Sequence, residues 1–206
     1  MLAARGQLSA ISAEWLGKDV ITLDGSADAL DGLLPEDTGR TLIIGVEADF
    51  PPMASEKNGE YVGMSVDIGR AVAALMNCPV TIQPISVSQV GAQLASGNID
   101  CAIGFDTGLL SAEKYDIGFS YMDSDIILAV REGSEVRRLK DLKAQRIGIT
   151  DDPAVQKAVK ASEKLTKYAS GATVYLSAQR CFHALDNGWC AAAAMDRLRF
   201  LWTPQT

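Results

Sequence analysis

Short apolar, β-branched runs alternate with helical stripes along most of this chain, and that alternation restricts its fold more than any other feature. Thr41 to Val46 is such a run and ends at a turn with Pro51-Pro52, the pattern of a buried strand. Asn58-Gly59 marks a hairpin-like turn. Ile68, Val72, Leu75 and Met76 then recur at helical spacing. Val80 to Ile85 reads as the next strand, Val90 to Ala95 as a short helix, and Cys101 to Phe105 as another buried strand. A second set of strands runs Ile126 to Val130, Ile147 to Thr150, Thr173 to Leu176 and Ala191 to Ala194. Helices lie between them, one striped by Val155, Ala158, Val159 and Ser162. Two alternating sets with an extended stretch near 117–131 between them predict an α/β chain of two lobes joined by a hinge. The expected boundaries are 1–118 for the first lobe, 119–131 for a hinge strand region and 132–206 for the second lobe. An amphipathic helix over 7–16, with Leu8, Ile11, Trp15 and Leu16 on one side, precedes the α/β core that starts at 42. A ligand cleft between the lobes follows from this organisation; the ligand's identity does not.

The 206 residues are 48% hydrophobic and 22% charged, ordinary globular values. No apolar run approaches the roughly 18 residues needed to cross a bilayer. No basic segment followed by an apolar one opens the chain, so an export signal is expected to be absent or already removed. A formal net charge of −7 argues against nucleic acid as a partner. Residues 1–118 carry −10 and residues 119–206 carry +3. Opposite signs suit two bodies that attract weakly or bind separate partners, with an uneven solvated surface as the alternative. Cys78, Cys101, Cys181 and Cys190 form no C-x-x-C pair and sit in or beside apolar segments, which favours buried free thiols over disulfides or metal ligands. The single histidine, His183, lies among apolar helical residues and reads as structural. With no His/Cys cluster, a catalytic transition metal is not expected, and no cofactor is expected either.

Four stretches occur in an order that carries more weight than any of them alone. The first is Ile44-Gly45-Val46-Glu47-Ala48-Asp49-Phe50-Pro51-Pro52-Met53, and the second is Gly59-Glu60-Tyr61-Val62-Gly63-Met64-Ser65-Val66-Asp67-Ile68. The third is Leu94-Ala95-Ser96-Gly97-Asn98-Ile99-Asp100, leading to Phe119-Ser120-Tyr121. The fourth runs from Leu139-Lys140-Asp141-Leu142 through Arg146-Ile147-Gly148-Ile149 to Leu185-Asp186-Asn187-Gly188 and Asp196. In that order they resemble the amino-acid-binding family of type 2 periplasmic solute-binding proteins of ABC transporters. At the N-terminus, Gly6-Gln7-Leu8 through Ile11 to Trp15-Leu16-Gly17 is similar to a motif that ends such proteins. The resemblance therefore implies a two-lobed type 2 fold in circularly permuted order, with each lobe contiguous. Nothing matches the family's second crossing strand, which leaves three possibilities: a single crossover, an excerpt of a longer tandem protein, or a domain-swapped homodimer.

The resemblance implies a non-enzymatic, extracytoplasmic protein that binds an amino acid or related small polar solute and passes it to an ABC permease or sensor partner. The alternatives are a ligand-sensing or degenerate domain of a larger receptor, and a cyclohexadienyl dehydratase-like lyase. Residues carried across as ligand contacts are Glu47, Phe50, Gly104, Phe105, Asp106, Thr107 and Asp196. For Phe50 the alternative is ordinary packing, and for Asp196 it is a helix N-cap. The family's carboxylate-binding arginine is missing, and Lys114 is the nearest cation, a point charge without the guanidinium fork. Where the family has a helix start that receives a ligand carboxylate, this chain has Asp151-Asp152-Pro153-Ala154, with Asp152 as N-cap and Pro153 as first helical residue. Glu47, Asp106, Asp151 and Asp196 together lead us to expect a preference for a cationic or neutral solute, or a loss of high-affinity binding.

Overall fold

The computed structural model describes residues 2–3, 5–23, 39–106 and 115–202. The chain divides into two compact units, Met1–Asp123 and Ser124–Thr206. Each is an α/β layer structure.

In the first unit, α1 (Gln7–Leu16) precedes β1 (Leu42–Glu47), β2 (Ser55–Lys57), β3 (Glu60–Val62), α2 (Met64–Leu75), β4 (Val80–Ile85), α3 (Val90–Ala95) and β5 (Cys101–Ile103). β1 is the central strand of a parallel sheet ordered β4-β1-β5. Parallel neighbours need a crossover, and α2 supplies it between β1 and β4. Side chains on β1 point alternately to the two faces. Ile44 and Val46 pack with Val66 of α2, while Ile43 joins Ile85, Val90 and Ile99 on the α3 side. Gly45 lies on that second face, where a Cβ would stand 2.8 Å from the Cδ1 atoms of both Ile85 and Ile99. β2 and β3 form the hairpin expected at Asn58-Gly59, whose φ angles of 56° and 83° give the two positive values of a type I′ turn.

Two motif acids in this unit are engaged structurally. Asp100 accepts the Ile43 N–H at 2.8 Å and pairs with Arg40, fixing the start of β1 beside β5. Asp67 accepts the Trp15 indole N–H at 2.8 Å, and α1 docks on α2. The chain leaving α1 is held by Ser12, which accepts the Val20 N–H, and by the Thr22 N–H donating to the Tyr121 carbonyl at 2.9 Å.

The second unit contains β6 (Ile126–Ala129), β7 (Arg146–Thr150), α4 (Pro153–Ala161), α5 (Glu163–Tyr168), β8 (Gly171–Tyr175), α6 (Ala178–Asp186), β9 (Ala192–Asp196) and α7 (Arg197–Trp202). Its sheet is ordered β6-β9-β7-β8, with β6 antiparallel to β9 and the other pairs parallel. Ile147 and Ile149 of β7 and Ala192 and Ala194 of β9 pack with Val155, Val159 and Leu165 of α4 and α5. Ala193 and Met195 face the other way, onto Cys181, Phe182 and Leu185 of α6. Helices cover both faces, so β9 is built almost entirely of small apolar residues and has no polar side before Asp196. The expected hinge stretch 119–131 thus includes β6, a strand of this sheet.

Several local expectations change. β5 stops at Ile103 because Gly104 turns to φ +85°. Ser162 breaks the expected stripe: it terminates α4, and its hydroxyl accepts the Leu165 N–H to start α5. His183 is exposed rather than embedded among apolar groups, its ring edge-on to Trp189 at 5.3 Å. All four cysteines are free; Cys181 and Cys190 are buried, whereas Cys78 and Cys101 are only half-buried.

Candidate functional site

Both units share one topology. Taken in chain order, the three parallel strands lie as second, first, third: β4-β1-β5 in one sheet and β8-β7-β9 in the other. Connections from the first strand go to one side and the third strand is laid down on the other, so the sheet has a topological switch point between its first and third strands. In open α/β sheets ligands bind beyond the carboxyl ends of the strands at such a point. The residues leaving β1, β5, β7 and β9 include Glu47, Gly104, Asp151 and Asp196, which the sequence had singled out.

In the first unit, Glu47 closes β1 and is half-buried. Phe50, also half-buried, sits in a tight loop: its N–H donates to the Ala54 carbonyl at 2.8 Å, and its own carbonyl accepts from Met53 and Ala54. The loop is tied to the start of α2, where the Met64 and Ser65 N–H groups donate to the Pro52 and Met53 carbonyls, each at 2.9 Å. That approach requires Gly63, whose φ is 143° and whose Cβ, if present, would lie 2.3 Å from the Met53 oxygen. Backbone hydrogen bonds therefore fix the position of Phe50.

At the end of β5, Gly104 sits directly on Ser65, where a Cβ would come within 2.2 Å of the hydroxyl oxygen. The Ser65 hydroxyl is buried and has no partner at full hydrogen-bond geometry among the described residues. The Tyr121 hydroxyl is its neighbour. Burial pushes the Tyr121 pKa up, and the interaction with Ser65 offsets part of that rise. Phe105 packs against the cluster of Ile85, Val90 and Ile99, so its side chain belongs to the core and only its backbone is placed at the strand end. Asp106 is exposed. Thr107 and Lys114 lie outside the described residues.

In the second unit, Asp151 is exposed and accepts the Gln156 side-chain amide at 3.0 Å, while its N–H donates to the Tyr175 carbonyl. Asp152 caps α4, its Oδ1 accepting the Ala154 N–H at 2.8 Å and the Val155 N–H at 3.4 Å. Pro153 occupies the first helical position, as expected. Asp196 caps α7 in the same way: Oδ1 accepts from the Leu198 and Arg199 N–H groups at 2.7 and 3.3 Å, and Oδ2 accepts from the Ser124 hydroxyl. The first donors of both helices are thus satisfied by carboxylates of this chain. Thr150, the last residue of β7, is 3% exposed, and its hydroxyl has no hydrogen-bond partner among the described residues.

Sequence reasoning missed Arg199. Its Nε lies 3.9 Å from Asp152 Oδ2, with both side chains mostly buried. Nothing in the local pattern pairs these two residues; only the adjacency of β9 and β7 brings their following helices together. Among the described residues no group of three or more His, Cys, Asp or Glu side chains could hold a metal ion, and no helix is long and apolar enough to cross a membrane. The strand ends of the second unit are acidic, and Arg199 stands beside Asp152 there.

Comparison with known proteins agrees with this architecture. Residues 42–192 match the family described as bacterial extracellular solute-binding proteins, family 3. A curated relative, the arginine-binding extracellular protein ArtP of Bacillus subtilis (strain 168), is 24% identical over 111 residues, covering 53% of this chain and 44% of the relative. The chain thus spans less than half the length of that relative in the match. An ancestral arginine-binding protein bound to arginine is similar in structure, with a TM-score of 0.62 and 25% identity over 78% of this chain and 72% of that one. A substrate-binding protein of an ABC uptake transporter from Streptococcus pneumoniae, with bound histidine, gives a TM-score of 0.67 at 24% identity, covering 79% and 68%. The ancestral amino-acid-binding protein AncCDT-1, a precursor of cyclohexadienyl dehydratase, gives 0.64 at 20%, covering 79% and 73%. Two α/β units with these strand orders and a family match over most of the chain lead to one assignment: this chain has the type 2 periplasmic binding protein fold and belongs to the bacterial extracellular solute-binding proteins, family 3.

Proposed function

We propose that this chain serves as an extracytoplasmic solute-binding protein, taking an amino acid or related small polar solute and delivering it to an ABC transporter. One observation carries the reading: the family match extends over residues 42–192, a span that includes the ends of β1, β5 and β7 and the start of β9. The arginine and histidine bound by similar proteins support a nitrogen-rich ligand. The same reading takes α1 for the family's closing helix in a ring-shifted position, supported by its motif and its seat on α2.

The solute is cationic or neutral rather than a plain carboxylate. Asp152 already accepts from the first donors of α4, and Asp151 adds a second negative charge beside them. A ligand carboxylate brought to that helix start would meet like charge where the helix dipole alone would attract it. Binding without turnover is the chemistry these residues support, since a lyase acting on a ring acid needs a cationic clamp for the carboxylate and a placed general acid.

Calorimetry against a panel of amino acids, amines and small peptides tests the reading. Binding of a cationic or neutral solute is expected, weakened by Asp151→Asn or Asp196→Asn. Micromolar binding of a simple α-amino acid that survives Lys114→Ala, Asp151→Asn and Asp152→Asn would count against the preference. Turnover of prephenate in an absorbance assay would move the protein to the lyases.

A further inference from the structure

Two of the four cysteines converge on one point. Cys181 lies on α6 and Cys190 in the segment leading into β9, and between them the chain turns back through hydrogen bonds from Asn187, Gly188 and Trp189 N–H groups to the carbonyls of His183, Leu185 and Ala184. Both sulfurs rest on the bare face of Gly148 in β7, 2.9 and 3.1 Å from where its Cβ would stand. They are therefore at most about 6 Å apart. Both are buried, Cys181 fully, within the same apolar cluster. Each is free in the structure. Cys78, by contrast, lies two residues before β4 and Cys101 begins β5, and β1 runs between those two strands.

We infer that Cys181 and Cys190 are a disulfide pair of this protein, closed during folding by a small-molecule or protein disulfide of an oxidising compartment. In the reaction one thiolate attacks the oxidant's S–S bond, forming a mixed disulfide and releasing one reduced thiol. The second thiolate then attacks the protein sulfur of that mixed disulfide, forming the Cys181–Cys190 bond and releasing the second thiol. The two protein thiols lose two electrons and two protons, and both go to the two thiols of the reduced oxidant. Reaching the ~2.0 Å of an S–S bond requires rotation of the two side chains. Timing follows from burial: in the folded protein the Cys181 thiol is pushed up to about 12, chiefly by desolvation, so little thiolate is present to react. Oxidation therefore precedes burial of the pair. The product joins α6 to the start of β9 beneath β7. The inference draws only its oxidising setting from the extracytoplasmic reading, and the experiment below supplies that setting itself.

Denatured, reduced full-length chain is refolded in a buffer of oxidised and reduced glutathione, then blocked with iodoacetamide and digested with trypsin. No Lys or Arg falls between the two cysteines, so both lie on one peptide, Cys181–Arg197. That peptide is expected 2 Da light and unalkylated, with Cys78 and Cys101 alkylated, two free thiols per chain instead of four, and a thermal midpoint that falls by several degrees on reduction. Cys181→Ser and Cys190→Ser should each leave the remaining partner free to alkylate. Four titratable thiols after oxidative refolding, or a bond joining either residue to Cys78 or Cys101, would overturn the proposal. Solute binding is measured separately on the reduced protein, so failure of one reading leaves the other standing.

Discussion

Gly104 and Ser65 compete for the same space at the end of β5. The glycine has φ +85°, and a Cβ there would meet the Ser65 oxygen at 2.2 Å. Gly104→Ala is expected to destabilise the first unit by about 2–3 kcal/mol, the sum of backbone strain and overlap in a packed site. Ser65→Ala alone removes a buried hydroxyl whose polar neighbour is Tyr121, a change of less than about 1 kcal/mol in either direction. Combined, the two should cost less than their separate effects added together, because the severest overlap is gone and what remains is the backbone strain and a close 3.1 Å contact with the Cβ of residue 65. Urea unfolding of the four proteins measures this, and simple additivity would refute the shared-space account. The same scale explains the family-like acids. Asp67, Asp100, Asp152 and Asp196 each accept N–H groups of this chain, so much of what makes the sequence recognisable maintains the fold around the strand ends.

At the scale of elements, α4 separates the two roles of Asp152. As an N-cap it contributes about 1 kcal/mol, a loss expected on Asp152→Ala, whereas Asp152→Asn keeps an accepting oxygen and gives up only the charge facing Arg199, so it should cost less than Asp152→Ala. Thermal unfolding reads the cap, and ligand calorimetry on the Asn variant reads the charge alone; equal destabilisation by both variants would show that charge, not capping, holds the helix. This cap was legible in the sequence because Asp-Pro before an apolar stripe is a local signal. So were α1, β4 and α3, whose limits follow from periodicity, and the hairpin at Asn58-Gly59, whose residues tolerate positive φ. Less legible were features set by contacts distant in sequence. β5 ends early because Gly104 must pass Ser65, and Arg199 meets Asp152 only once β9 has been laid beside β7. Ser162 was misread because a serine can continue a helical stripe or break it, and only the hydrogen bond to the Leu165 N–H decides. The candidate site was read at the level of strand ends, with an N-cap as the alternative for Asp196 that the hydrogen bonds bear out; that Phe105 would serve the core depended on which way the chain turned after its strand.

For the whole molecule, the sequence order has a thermodynamic consequence. Each unit is one continuous segment, Met1–Asp123 and Ser124–Thr206. The second contains a four-stranded sheet with an apolar cluster on each face, and both clusters are built from its own residues. Its antiparallel strand, β6, pairs with β9 and is anchored by the Arg197 N–H donating to the Asp125 carbonyl, which keeps the first residues of the unit in register. A segment this size buries a little over 60% of the surface its unfolded chain exposes, enough for a marginal but cooperative fold. Residues 124–206 expressed alone should therefore give an α/β circular dichroism spectrum and a single urea transition, with a slope on the order of 1 kcal/mol/M. Asp125 and Ser124 stand at the boundary, and both hold groups at the start of α7, so a version beginning at 130 would lose β6 and with it one edge of β9. That shorter version should fail to unfold cooperatively. If residues 124–206 also showed no transition while the full chain did, the unit would depend on the rest of the protein, and its status as a separately folding body would have to be given up.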